Sequence, residues 1–143
     1  MSNLSRFLAK NKIKRENGKY APSKAFVDEN GNPLEFEFRP ITSKRNEAIR
    51  ESHTKEVPVT GKPNMFRPKL DTSAYINNLI TESIVDPDLY NKELQDSYGV
   101  KTPGELLYAM IDNPGEYQDL SAWVQNFQGF DTLEDKTKPV SYT

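Results

Sequence analysis

The sequence predicts an α+β fold that is mostly helical: an N-terminal β-hairpin with one helix, a Pro-rich linker, and a C-terminal bundle of about four short helices. Three observations carry this. Leu34, Phe36 and Phe38 alternate with Glu35, Glu37 and Arg39, the period-two pattern of a strand with one buried and one wet face. Pro58, Gly61, Pro63 and Pro68 then break up residues 55–70. From Asp71 onward apolar residues recur with a period near 3.6, as on helices that bury one stripe.

Taken in order, residues 1–23 read as a basic arm. Residues 24–28 and 34–39 flank the turn-forming run Glu29 to Pro33 and read as the two strands of the hairpin. A lone hairpin is marginal in water, so its apolar face needs a helix against it. Pro40 ends the second strand, and Thr42 or Ser43 can cap a helix to about Ser52 that packs through Ala48 and Ile49. Hairpin and helix together occupy 24–54. Residues 55–70 lack periodicity and read as a linker or surface loop.

The helical part spans 71–130. Ile76, Leu79, Ile80 and Ile84 follow a cap at Asp71 or Thr72, with Pro87 closing the exit. Asp86 or Asp88 can start a second helix carrying Tyr90, Leu94 and Tyr98, with Gly99 at its C-terminal turn. Thr102 and Pro103 form a cap and first-turn pair before Leu106, Leu107, Met110 and Ile111. Asn113, Pro114 and Gly115 break the chain or restart it at a cap, and a last helix follows with Tyr117, Leu120, Trp123, Val124 and Phe127, stopped by Gly129. Residues 131–143 show no periodicity and read as a flexible tail. Such helices, expected at about 10 to 14 residues, do not fold singly, so 23–130 is expected to form one folding unit.

Composition narrows the function. In 143 residues, 35% are hydrophobic, below the ~45–50% of an average globular chain, and 28% are charged. There is no cysteine, which excludes disulfides, thiolate zinc sites and thiol nucleophiles. A net charge of −2 removes the bulk electrostatic case for nucleic acid or membrane as partner. The charge is unevenly placed, however: residues 1–24 carry seven Lys/Arg against Glu16 alone, and residues 71–143 carry four against thirteen Asp/Glu. A basic arm and an acidic body could attract each other within a molecule or between copies. No secretory signal and no apolar run of membrane-spanning length are visible, so the expectation is a soluble cytoplasmic protein.

Catalytic chemistry finds no constellation. His53 is the one histidine, and it falls at a helix end where a cation favours the dipole. No G-x-S-x-G elbow presents a serine, and no phosphate-cradling glycine motif occurs among seven glycines. The run Asp28 to Asn32 lacks the ligand alternation of a calcium loop and suits a turn. The expectation is therefore no enzyme, no catalytic residue, no cofactor and no metal. Tyr90, Tyr98, Tyr108, Tyr117, Trp123 and Phe127 exceed what a small core needs. From these Tyr90, Tyr98, Tyr117 and Trp123 are nominated as partner anchors, with a core role the competing reading for each.

Several strings, in order, carry a family resemblance: Phe7-Leu8, S-K-A-F-V-D-E-N-G-N-P-L-E-F-E-F-R-P-I-T-S from Ser23 to Ser43, T-K-E-V-P-V from Thr54 to Val59, E-L-Q-D-S-Y-G-V from Glu93 to Val100, P-G-E-Y from Pro114 to Tyr117, and G-F-D from Gly129 to Asp131. Together they resemble the XkdN-like tail assembly chaperones of tailed bacteriophages and prophage elements. The chain departs from that pattern after the Thr42-Ser43 cap, where Lys44 and Arg45 stand in place of acidic residues. The resemblance implies a non-enzymatic protein of the host bacterial cytoplasm that binds the tape measure protein, keeps it soluble and helps recruit tail tube protein. It also implies a longer frameshifted product diverging after Asp131. Two other readings stay open: a structural tail component kept in the virion, and a small nucleic-acid-binding protein acting through Lys10 to Lys24.

Overall fold

The computed structural model describes residues 3–130. The strand marked by alternation forms as β2 (Phe36–Phe38), with both phenylalanines buried and Glu37 between them. It is the centre of a three-stranded antiparallel sheet, flanked by β1 (Gly18–Tyr20) and β5 (Ile84–Asp86). Tyr20 pairs with Phe36, Gly18 with Phe38, and Phe38 with Ile84 on the other side.

The strand's partner thus differs from the expected 24–28. That segment closes a tight turn, with Val27 bridged to Pro33 and the Asp28 carboxylate accepting from the Asn30 and Asn32 amides, but it adds no strand. Val27 and Leu34 both stay exposed, so pairing them would bury little, whereas Tyr20 beside Phe36 joins an aromatic stack. The basic arm is accordingly shorter than 1–23. Two 3₁₀ turns at Asn3–Phe7 and Ala9–Asn11 are exposed, but 18–23 belong to the fold, and Ser23 is buried.

Thr42 caps α1 (Ser43–Ser52), its side chain accepting from the Arg45 amide. Ile49 and Asn46 are the residues α1 buries, and Ala48 is exposed. Asn46 is kept inside by the Tyr75 hydroxyl, which donates to its Oδ1. Residues 55–70 are no linker. They fold as a second hairpin, β3 (Thr54–Pro58) and β4 (Phe66–Leu70), paired from Thr54↔Leu70 to Pro58↔Phe66. Its side chains are exposed except for the half-buried Val57 and Leu70, so no alternation of apolar residues marked it.

Four further helices follow: α2 (Thr72–Ser83), α3 (Lys92–Ser97), α4 (Pro103–Met110) and α5 (Pro114–Phe127). Caps at Asp71, Thr102 and Asn113 are as the sequence predicts, each accepting an amide three residues on. α2 stops at Ser83, whose hydroxyl turns back to the Leu79 carbonyl, and the β-branched Ile84 and Val85 continue as sheet. α3 is capped by Asn91, because Asp88 instead holds the preceding turn through the Tyr90 amide. It is a six-residue helix, and Tyr90 lies ahead of it.

α2 is the hub, packing against α1, α4 and α5, and its Leu79 and Ile80 are fully buried. Around them lie Phe36, Phe38, Ile49, Leu106, Leu107, Leu120 and Val124. Gln128 joins the layers: its Oε1 accepts from the Ile41 amide at 3.0 Å, and its Nε2 donates to the Arg39 carbonyl at 2.9 Å and to Ser83 Oγ at 2.8 Å. Among the described residues no buried side-chain polar atom lacks a hydrogen-bond partner. The 131–143 tail lies outside the described residues.

Candidate partner-binding groove

A concavity of about 530 Å³ opens between α2 and α4 beside the loop before α3. Its floor is made by the α2 residues facing away from the core, chiefly Asn77, Asn78 and Thr81. α4 can sit close because Gly104 meets Asn77: a Cβ there would lie 2.6 Å from Asn77 Oδ1. Asn77 Nδ2 donates at 3.4 Å to the Gly104 carbonyl and at 3.4 Å to the Tyr117 hydroxyl.

Two tyrosines rim the groove, Tyr90 (67% exposed) and Tyr108 (50%). Tyr108 is held from behind by Tyr117, the rings stacked with centroids 5.0 Å apart and 19° between planes. Burial, with the Tyr108 hydroxyl bonded to it, pushes the Tyr117 phenol up to about 12, so it stays neutral. His53 and Asp71 close one end. His53 is the C-cap of α1, as expected of its helix-end position, but is half-buried with Nε2 3.1 Å from Asn78 Oδ1.

A rim of two aromatic rings over a floor of amides suits a polypeptide. The rings offer rigid apolar contact area, and the amides can meet peptide or side-chain polar groups. Among the described residues no three His, Cys, Asp or Glu side chains converge as metal ligands. Nor is any helix long and apolar enough to cross a membrane.

Of the nominated anchors, Tyr90 lines the groove and Tyr117 braces it. Tyr98, 36% exposed, ends α3 as its C-cap and does not line the groove. Trp123 sits elsewhere, sandwiched between Tyr20 (4.9 Å, 11°) and Phe127 (5.1 Å, 8°) and tilted onto Phe38 at 4.7 Å. Tyr108, Asn77 and Asn78 were not nominated. Tyr108 was legible, since it falls outside the 106, 107, 110, 111 stripe of its helix and must point away from the core. The asparagines gave no such signal.

Comparison with known proteins fixes the family. The phage XkdN-like tail assembly chaperone model matches residues 4–140. The chain belongs to that family. It is similar to the phage-like element PBSX protein XkdN of Bacillus subtilis, 31% identical over 133 residues covering 92% of this chain and 88% of that protein. It is also similar to B. subtilis YqbN, at 30% identity over the same shares. The crystal structure of YqbN superposes with a TM-score of 0.74 at 27% identity, covering 92% of this chain and 99% of that one. A role in phage tail assembly follows from this membership, and chaperoning is a non-catalytic kind of role. Of the two basic residues after the Thr42 cap, Arg45 has a local setting: it pairs with Glu82 of α2, as Arg39 does, and the Glu82 bond holds the Arg45 guanidinium above its ordinary range.

Proposed function

We propose that this chain is the tail assembly chaperone for the tape measure protein of its phage or prophage. It acts in the host cytoplasm and binds one amphipathic segment at a time in the α2–α4 groove. Membership of the chaperone family over residues 4–140 is the observation that carries the reading. The groove supports it by presenting the exposed rings of Tyr90 and Tyr108, which can take apolar side chains of a bound helix while the amides of Asn77 and Asn78 meet its polar groups. Tyr90 and Tyr108 act as anchors, Tyr117 as the ring that holds Tyr108 in place. A tape measure protein repeats its apolar stripe over a long helix, so several copies bound along it gain from high effective concentration even where each contact is weak. Covered in this way, the long helix stays soluble until tail tube protein is recruited around it.

The test is co-expression with the tape measure protein encoded alongside this chain, scored by how much of that protein remains soluble and co-purifies. Retention is expected with the natural chain. With Tyr90→Ala and Tyr108→Ala combined, loss of two aromatic anchors is expected to weaken binding by roughly a hundredfold or more. Absence of association, together with the chain's presence in finished particles, would refute the chaperone reading in favour of a structural tail component.

A further inference from the structure

Taking the α2–α4 groove as the tape-measure site, we infer that it selects a segment whose lysine or arginine stands one helical turn from an apolar residue. The amide donors of the floor are already spent within the chain. Asn77 Nδ2 serves the Gly104 carbonyl and the Tyr117 hydroxyl, and Asn78 Nδ2 donates to Thr81 Oγ1 at 3.4 Å. The Thr81 hydroxyl in turn donates to the Asn78 carbonyl at 3.0 Å. What stays open is mostly acceptor. Asn77 Oδ1 accepts from none of the described residues. Asp71 and Glu105 each commit one carboxylate oxygen, to the Ala74 amide and the Thr102 hydroxyl, and leave the other open. The hydroxyls of Ser73 and Tyr90 can serve either way. An ammonium or a guanidinium, which brings donors and no acceptor, suits such a lining.

The charge of the groove points the same way. Among the described residues no lysine or arginine lines it, and neither Asp71 nor Glu105 is in an ion pair. The N-termini of α2 and α4 both reach the groove and bring about +0.5 of a charge each, which offsets half of two full carboxylate charges and leaves the site negative. Arg45, near enough to Tyr90 to interact with its phenol, is taken up by Glu82. Lys55 and Lys69 share a neighbouring hollow with Asp71, so Glu105 is the carboxylate left less answered. Tyr90 and Tyr108 add ring faces that attract a cation as well as apolar groups. Side chains three or four residues apart share one face of a helix, so an apolar residue can meet a ring while a cation at that spacing reaches Glu105. An Asp or Glu at the same place would meet like charge and spent donors, and the groove thereby also rejects segments of the wrong kind.

The probes are peptides of about 20 residues tiled along the tape measure protein encoded beside this chain, titrated against the full chain up to about 1 mM. The tiles that bind are expected to carry a lysine or arginine three or four residues from a large apolar residue. Replacing that cation by glutamine should weaken binding by at least roughly tenfold. Asp71→Asn with Glu105→Gln removes both charges while keeping side chains that cap α2 and α4, and it should erase the difference between the cationic and glutamine tiles. Glu105→Lys should in turn prefer the tile whose cation is replaced by glutamate, a rescue that misfolding cannot imitate. Tiles that need Tyr90 and Tyr108 yet bind equally with glutamine in place of the cation overturn this selectivity and leave the groove reading standing. Tiles indifferent to Tyr90→Ala with Tyr108→Ala, or no binding by any tile, overturn both.

Discussion

Trp123→Ala takes out the middle ring of the Tyr20–Trp123–Phe127 stack and the ring leaning on Phe38. Truncating a buried tryptophan costs about 3–5 kcal/mol, and each aromatic pair contributes ~0.5–1.5 kcal/mol beyond its buried area. Trp123 keeps some exposure, so the low end applies, about 3 kcal/mol. With a slope of about 2 kcal/mol per molar, the urea midpoint should fall by about 1.5 M. Because Tyr20 leans on the lost ring, β1 should loosen first. Amide exchange at Lys19 and Tyr20 is expected to quicken before that of α2, whose Leu79 and Ile80 lie in the central core. A midpoint shift below about 0.5 M with unchanged exchange, accompanied by loss of tape-measure solubilisation, would refute this. It would make Trp123 a binding anchor instead of the post that holds the first strand.

Gln128→Leu leaves the Ile41 amide and Arg39 carbonyl without their side-chain partner, so a loss of about 2–4 kcal/mol is expected in denaturant unfolding. Gly99, at φ +67 after α3, accepts an alanine only with strain, and Gly99→Ala should cost about 1 kcal/mol, read as a small drop in Tm. Glu116 accepts from the Lys24 amide at 2.9 Å and from Ser23 Oγ at 2.8 Å, and these bonds, the backbone one first, hold its carboxyl below the ordinary 4.5. A carboxyl lowered on folding contributes stability above its unfolded value and loses it as pH falls through the folded one. The natural chain should therefore lose more stability than Glu116→Gln on acidification below 4.5, measured as urea midpoints across that range.

Where a signal was local and physical, the sequence was a sufficient guide. Thr42, Asp71, Thr102 and Asn113 cap helices because a short oxygen-bearing side chain ahead of an apolar stripe has one favourable use. Phe36 and Phe38 marked a strand but not its neighbour, since alternation says which face is buried and nothing about what pairs along the edge. The second hairpin escaped because it buries little and its prolines imitate a linker. In the groove, Tyr90 was visible as an aromatic in excess of core needs. Asn77 and Asn78 matter only because α4 comes back across α2 from 27 or so residues away, a juxtaposition no periodicity encodes.

The Gln128 bonds also set an order of events. The amide of Ile41, the carbonyl of Arg39 and the hydroxyl of Ser83 all wait on one side chain that the ribosome adds 45 or more positions later. β1 waits in the same way for Trp123. At about 5–20 residues per second, the N-terminal strands spend several seconds without the helix that completes them. Competence is therefore close to all-or-none in translation: a nascent chain lacking α5 lacks the pins of its sheet, and its own apolar face is covered only once that helix is in place.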